Sequence, residues 1–351
     1  MQKSNRIVCT LTLALMFSVW SNATLSQTTT RLSPVAPTAE DLQSAINDAY
    51  QKFKDNREGK NADYIPYLSK VDPKLFGIAI MTVDGRVFTA GDVDYPFAIE
   101  SVSKVFTLAL ALEEFGPEQL YAKIGSEPTG RPFNSVNAVE DMPTHTGNPF
   151  VNAGAMATTS LISGASADER WTKILAFYSK FAGEKLTLID EVYKSEAATN
   201  DHNKGIAVLL KSYDRMYSDP LEATDIYTRQ CSVGVSAKQL AMMGATLANH
   251  GVNPKTNEQV IKRENVPHIL ATMSMAGLYD GSGSWAWHVG LPAKSGVGGG
   301  IVAVIPGKGA IVGFAPPLDK AGNSVKAQKA IAFVTERLGI NLYSPRSVGL
   351  R

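Results

Sequence analysis

Apolar residues recur with a helical period in segments near both ends of this chain. From Ala39 to Phe53 they fall three or four positions apart, which predicts an amphipathic helix. Residues 327–338 are interpreted as a closing helix. The segment from Lys104 to Glu114 is mostly apolar and predicts a third helix.

Two pairs of short apolar runs predict β-hairpins. Residues 77–83 and 86–89 flank Asp84-Gly85, a sequence that favours a two-residue hairpin turn. Residues 300–305 and 310–314 flank a Pro-Gly-Lys-Gly connection and form the second pair. The chain therefore has strand character toward both of its ends.

The middle of the chain has a mostly helical pattern with irregular stretches such as 125–149. Two terminal hairpins can join one antiparallel sheet only if this middle is a large insertion. We predict an α+β fold in which both chain ends build the sheet, with flanking helices and an inserted helical subdomain. The predicted single domain spans 39–345, with an α/β part at 39–115 and 275–345 and a helical part at 116–274.

Composition narrows the class of protein. The chain has 351 residues, 44% of them hydrophobic and 19% charged, so it can bury a sizeable core. With 34 Lys+Arg against 33 Asp+Glu the net charge is +1, which argues against nucleic acid as a partner. Two cysteines are too few for a disulfide scaffold or a cysteine-based zinc site.

The N-terminus has the three-part pattern of a secretory signal. Lys3 and Arg6 precede the uncharged apolar run Ile7–Trp20, and small residues follow up to Ala23. We predict a signal peptide at 1–23, although a buried N-terminal helix is the alternative. Export to the periplasm or medium is the expectation, and a cytoplasmic location follows if the segment is not a working signal.

Removal of the signal would change the cysteine count and leave no anchor. Cys9 would be lost, so Cys231 would be the one remaining cysteine and is most simply a buried core thiol. Residues 24–38 are rich in Thr, Ser and Pro and are interpreted as a flexible leader. We expect no contact with the membrane after processing.

Ser101-Val102-Ser103-Lys104 is a candidate catalytic motif. On a helix the residues at i and i+3 share a face, so the Lys104 amine would lie beside the Ser101 hydroxyl. A serine needs a base to become a nucleophile, and a lysine can be that base when burial or a second cation lowers its pKa. The motif is weak by itself, because a capping serine followed by a surface lysine has the same spacing.

A second motif strengthens the first. Lys294-Ser295-Gly296 enters a glycine-rich strand about 190 residues later. A Ser-x-x-Lys helix paired with a Lys-Ser/Thr-Gly strand is a signature of serine acyl-enzymes. The glycines would let a substrate approach the backbone closely, and a strand N–H could complete an oxyanion hole.

Several segments in this order resemble the serine-dependent glutaminases, which share the serine β-lactamase and penicillin-binding fold. The resemblance spans roughly Gly59 to Leu338 and rests on segments 59–66, 99–104, 148–155, 195–203, 277–283 and 292–300. It implies hydrolysis of L-glutamine to L-glutamate and ammonia with no metal or cofactor, by a homotetramer or dimer.

The resemblance also implies roles for residues at matching positions. Ser101 would be the nucleophile, Lys104 its base, Tyr279 a proton shuttle near Ser101, and Tyr64 a wall of the pocket beside it. The backbone N–H groups of Ser101 and Val297 would form the oxyanion hole. Substrate contacts are implied at Ser101 and Tyr279 as well.

A cage for the polar groups of glutamine is implied at Asn152, Glu196, Asn203 and Tyr227. Glutamine carries an ammonium, a carboxylate and an amide, so its pocket needs one anion and several neutral hydrogen-bonding groups. Glu196 supplies the anion, and the two asparagines and the tyrosine supply the rest. A wrong ligand would leave such groups unpaired at a cost of about 1–3 kcal/mol each.

Two other functions remain open at this point. A serine β-lactamase or peptidase of the same fold is the first, but the Ser-Asp-Asn and Tyr-x-Asn elements of β-lactamases do not occur in the chain. Turnover of nitrocefin without glutamine hydrolysis would favour it. A non-catalytic ligand-sensing domain is the second, and an intact Ser101, Lys104 and Tyr279 argue against it.

Overall fold

The computed structural model describes residues 37–344. The predicted signal peptide and nearly all of the leader lie outside the described residues. All of the described residues fall in one compact unit. None of the helices within 37–344 combines the length and hydropathy needed to cross a bilayer.

Helices dominate the described chain. They are α1 Ala39–Phe53, α2 Ser103–Ile124, α3 Val136–Asp141, α4 Asn152–Leu161, α5 Ala167–Ala182, α6 Asp190–Ala197, α7 Asp201–Ser212, α8 Pro220–Cys231, α9 Ala237–Ala248, α10 Val266–Ala276, α11 Ser282–His288 and α12 Val325–Leu338. The strands are β1 Gly77–Thr82, β2 Val87–Gly91, β3 Phe97–Ala98, β4 Thr187–Leu188, β5 Val233–Val235, β6 Ala293–Ser295, β7 Gly300–Ile305 and β8 Gly309–Phe314.

The two terminal hairpins join one antiparallel sheet, as the sequence predicts. Within residues 37–344 its order is β2-β1-β8-β7-β6, and β1 pairs directly with β8. The predicted helix at 39–53 is confirmed to the residue, and the closing helix begins two residues earlier than predicted. The α+β fold class is therefore confirmed.

Both faces of this sheet are buried. Ile78 and Ile80 of β1 pack with α1 and α12, whereas Ala79 and Met81 point to the other side, where α9 lies. Successive side chains of a strand point to opposite faces, so a strand covered on both sides is continuously apolar. This explains the unbroken apolar runs of β1, β7 and β8.

The first hairpin turn is longer than predicted. Its loop has three residues, Val83 to Gly85. The Thr82 N–H donates to the Arg86 carbonyl (3.0 Å), which closes the hairpin, and the Gly85 N–H donates to the Thr82 carbonyl (3.0 Å). Gly85 has φ 84°, the left-handed conformation that closes a three-residue loop. The Thr82 hydroxyl also contacts the Asp84 carboxylate, which holds the longer loop in place.

A second, three-stranded sheet was not predicted. Its order is β3-β5-β4, and β4 and β5 lie in the stretch 116–274 that was predicted to be helical. Strands of two or three residues are too short to show an alternating pattern. Helix α3 likewise lies in the stretch 125–149 that was interpreted as irregular.

We predict that Gly244→Ala destabilises the fold. A Cβ at Gly244, in α9, would lie 2.6 Å from Ala310 Cβ and 2.6 Å from Val302 Cγ2 of the sheet. Overpacking of this kind costs about 1–3 kcal/mol. Urea unfolding should show the loss as a lower midpoint at unchanged slope.

Gly205→Ala is the matched control, because nothing lies within 4 Å of a Cβ at that helical glycine in α7. Its helix propensity should instead raise stability by about 0.5–1 kcal/mol. Equal stabilisation by both substitutions would contradict the close packing of α9 on the sheet.

Candidate active site

Ser101 lies in a 3₁₀ turn, Glu100–Val102, that runs into α2. Helix α2 begins at Ser103, one residue before the start predicted for it at Lys104. Glu100 has φ 51°, an uncommon backbone conformation for a residue with a side chain. Such strain costs about 1–3 kcal/mol and is concentrated at functional sites.

The glycine-rich turn after β6 packs directly on this segment. A Cβ at Gly296 would lie 2.7 Å from the Ile99 carbonyl oxygen and 3.3 Å from the Ser101 nitrogen. A Cβ at Gly298 would lie 2.3 Å from the Ala98 carbonyl oxygen. The backbone just before Ser101 thus occupies the space that a side chain at either glycine would need. Val297 lies between these two glycines in the turn.

Lys104 is buried, with 2% of its surface exposed. Its amine donates hydrogen bonds to Asn152 Oδ1 (2.7 Å) and to the Phe150 carbonyl (3.2 Å), rather than to Ser101. Burial lowers the pKa of Lys104 to about 8, and no carboxylate forms an ion pair with it in the described structure. A lysine in this state exchanges protons near neutral pH.

Asn152 connects three of the predicted site residues. Its Oδ1 accepts from Lys104 and from the Tyr227 hydroxyl (3.2 Å), and its Nδ2 donates to Asn203 Oδ1 (3.0 Å). The three partners come from α2, α8 and α7, and Asn152 begins α4. The structure therefore brings together residues that are up to 123 positions apart.

Tyr279 lies between Ser101 and the Lys-Ser-Gly strand. Its hydroxyl donates to the Ser295 carbonyl (3.3 Å) and also contacts the Ser101 side chain. Burial raises the pKa of Tyr279. The Lys294 amine lies 4.2 Å from the centre of the Tyr279 ring and donates to the Ser295 carbonyl (2.6 Å).

Lys294 is a site residue that the sequence analysis did not assign, although it stands in the second motif. It has no exposed surface. Burial, and then the charge of Lys104, lower the pKa of Lys294 well below its usual value. Its position at the start of the Lys-Ser-Gly motif, in strand β6, was the signal that could have identified it.

Glu196 lies near Glu100, another residue that the sequence analysis did not assign. A carboxylate oxygen of each and the Cys231 sulfur all lie within 4.8 Å of one another. Cys231 is a buried free thiol, as predicted. Burial, followed by the carboxylates of Glu100 and Glu196, raises the pKa of Tyr64, although 57% of that residue is exposed.

Every predicted site residue thus belongs to one region, with Tyr64 as its most exposed member. His202 lies outside the site, since it is exposed and its Nε2 is 2.7 Å from the Asn134 carbonyl. The site combines a buried hydroxyl, two buried amines with lowered pKa values and a set of amide, phenol and carboxyl groups. Such a set is suited to acyl transfer on a small polar amide.

The chain is similar to known glutaminases in sequence and in structure. Residues 59–343 match the family model described as Glutaminase. A glutaminase of Mycobacterium ulcerans is 52% identical over 313 residues, covering 89% of this chain and 98% of that protein. A glutaminase of Brucella canis is 58% identical over 291 residues, covering 82% of this chain and 91% of that protein.

Solved structures show the same relationship. A probable glutaminase named ybaS superposes with a TM-score of 0.86 at 53% identity, covering 88% of this chain and 99% of that one. The protein Mglu in its glutamate form superposes with a TM-score of 0.81 at 36% identity, covering 85% of this chain and 68% of that one. With a matching family model over most of its length and relatives above 50% identity, the chain belongs to the glutaminase family.

Proposed function

We propose that this glutaminase hydrolyses L-glutamine through an acyl-enzyme formed on Ser101. The observation that carries the mechanism is the buried Lys104 amine, which lies within the same hydrogen-bonded cluster as Asn152, Asn203 and Tyr227. A relative in the structural comparison is described in its glutamate form, and glutamate is the expected product.

Substrate capture uses the polar groups around Lys104. Glu196 accepts the α-ammonium of glutamine, and Asn152, Asn203 and Tyr227 bind its carboxylate and amide. Tyr64 lies near Glu100 and Glu196 and forms the outer wall of the pocket. These groups are partly or fully buried. A ligand that cannot hydrogen-bond to them leaves them unpaired and without water, which weakens its binding free energy and favours glutamine over less complementary amides.

The first chemical step forms the acyl-enzyme. The neutral Lys104 amine takes the Ser101 proton, and Oγ attacks the side-chain amide carbon. The backbone N–H groups of Ser101 and Val297 stabilise the oxyanion. As the C–N bond breaks, a proton passes to the leaving nitrogen through Tyr279, which contacts Ser101. Ammonia departs and the γ-glutamyl ester remains on Ser101.

In the second step water replaces Ser101 as the nucleophile. Water attacks the ester carbon and Lys104 accepts its proton. Lys104 then returns that proton to Ser101 Oγ as the C–O bond breaks, which releases L-glutamate. The sum is glutamine plus water to glutamate plus ammonia, with every proton returned.

Removal of the nucleophile or the base should abolish this reaction. We expect Ser101→Ala and Lys104→Met each to lower kcat by a factor of about 10³ or more at unchanged fold, because each group acts in both steps. Ammonia release from glutamine by the purified variants measures the effect. Lys211→Met and Ser212→Ala are matched controls, since both residues are exposed at the end of α7. Near-normal turnover in Ser101→Ala or Lys104→Met would refute the assigned role.

The rate should also depend on pH with a definite sign. Because the pKa of Lys104 is lowered only to about 8, the amine is protonated at lower pH and cannot accept the Ser101 proton. We expect kcat at saturating glutamine to rise about tenfold per pH unit below this value and to level off above it. A kcat that stays constant from about pH 6 to 9 would contradict Lys104 as the base.

We further propose that the enzyme is exported and then forms a homotetramer or dimer. The charged, apolar and small-residue order of 1–23 supports export. Mass spectrometry of the protein from its native host should find a mature N-terminus at Thr24, and an intact 1–23 segment would refute cleavage. Light scattering of the purified protein tests the oligomer, which a monomeric mass would exclude.

A further inference from the structure

Two carboxyl groups meet in the site, and the proposed mechanism uses only one of them. Glu100 is 3% exposed and directly precedes the nucleophile, whereas Glu196 is part-buried on α6. Their nearest carboxylate oxygens lie within 4.8 Å. The side chain of Glu100 also packs against the glycine turn, since a Cβ at Gly298 would lie 3.2 Å from Glu100 Cγ. Glu100 is therefore held in place from both sides.

Neither carboxyl group has the partners that an ionised carboxylate needs. The Oε1 atoms of Glu100 and Glu196 are both buried, and neither receives a hydrogen bond from the described residues. No lysine or arginine forms an ion pair with either of them in the described structure. Two adjacent buried carboxylates without a counter-ion cannot both be charged, so one proton must lie between them.

The deeper group is the one that keeps the proton. Burial, and then the charge of Glu196, raise the pKa of Glu100 well above its usual range. Burial raises the pKa of Glu196 to about 7, and the neighbouring Glu100 carboxyl group opposes that rise. Near neutral pH the protonated Glu100 thus donates and Glu196 accepts.

The other groups that face the pair do not supply a permanent charge. Burial raises the pKa values of Cys231 and Tyr227 on α8 and of Tyr279, so these remain neutral at physiological pH. Tyr64, with a raised pKa, is neutral too. Lys104 on α2 is a cation below about pH 8 and opposes the rise in the pKa of Glu100, but burial and Glu196 outweigh it. The pKa of Lys294 is lowered well below its usual value.

We propose that Glu100 is a positioning residue that stays a neutral acid and donates its proton in a hydrogen bond to Glu196. This bond keeps Glu196 an anion and aims it at the ammonium of the substrate. The inference rests on the proposed role of Glu196 in substrate capture. Glu100 itself does not touch the substrate.

This arrangement separates the pH dependence of KM from that of kcat. KM should fall as the pH rises through about 7, because Glu196 then loses its proton and attracts the ammonium. The value of kcat should follow Lys104 with its midpoint near 8. A role of Glu100 that is only structural would not move the KM profile independently of kcat.

Two substitutions of similar length test the donated hydrogen bond. Glu100→Gln keeps a donor that cannot titrate, whereas Glu100→Met fills the same space without a donor. We expect Glu100→Met to shift the KM midpoint upward by about one pH unit and to raise KM at pH 7 about fivefold, since a hydrogen bond to a charged group is lost. Glu100→Gln should keep the wild-type midpoint. The control is Glu191→Gln, which removes one carboxylate from an exposed position of α6.

Each outcome has one interpretation. If Glu100→Gln weakens capture as much as Glu196→Gln does, Glu100 is charged and the proposal is wrong. If Glu100→Met leaves the KM profile unchanged, the hydrogen bond has no role and the proposal is also wrong. Circular dichroism and thermal unfolding establish that each variant is folded before its kinetics are compared.

Difference infrared spectroscopy gives a readout that does not need turnover. The wild type at pH 8 should show the carbonyl band of a protonated carboxylic acid that is missing in Glu100→Gln, and absence of this band from the wild type would overturn the proposal. Failure of the wild type to release ammonia from glutamine would instead refute the proposed function. The two failures are therefore distinguishable.

Discussion

The chemistry of this site depends on ionisable side chains that are buried without a partner of opposite charge. Lys104, Lys294 and Glu100 are each at most 3% exposed, and none of them forms an ion pair in the described structure. Desolvation then favours the neutral form of every such group. It turns Lys104 into an amine that can accept a proton and Glu100 into an acid that can donate one. The apolar packing around the site is thus what prepares its acid and base groups.

The three-stranded sheet explains how these side chains are held at fixed positions relative to one another. β3 leads into Glu100 and Ser101, β5 follows the helix that carries Tyr227 and Cys231, and β4 leads into the helix that carries Glu196. The Ile99 N–H donates to the Val233 carbonyl (2.8 Å) and the Ile189 N–H to the Ser232 carbonyl (2.9 Å). Three segments from distant parts of the chain are joined by backbone hydrogen bonds within a few residues of their functional side chains.

The glycine turn and the strained backbone serve the same purpose. Gly296 and Gly298 allow two backbone segments to lie closer than any side chain would permit. Glu100, which precedes Ser101 in the chain, and Tyr279, whose hydroxyl contacts Ser101, both have positive φ values, 51° and 52°. The cost of these conformations is offset by the large buried core, and the result is a rigid frame around Ser101.

The sequence by itself determined the terminal hairpins, the helices at both ends and the two lysine motifs. These features are local, because strand and helix periods and short motifs are visible in a few consecutive residues. It did not reveal the strands β3, β4 and β5, the length of the first hairpin loop, or the burial of the Glu100 and Lys294 side chains. The ionisation of Glu100 and Lys294 depends on the exclusion of solvent by residues far away in the chain. No local sequence pattern encodes that exclusion. Only the tertiary structure decided which carboxyl and amine groups lose their water, because burial belongs to the packed molecule as a whole.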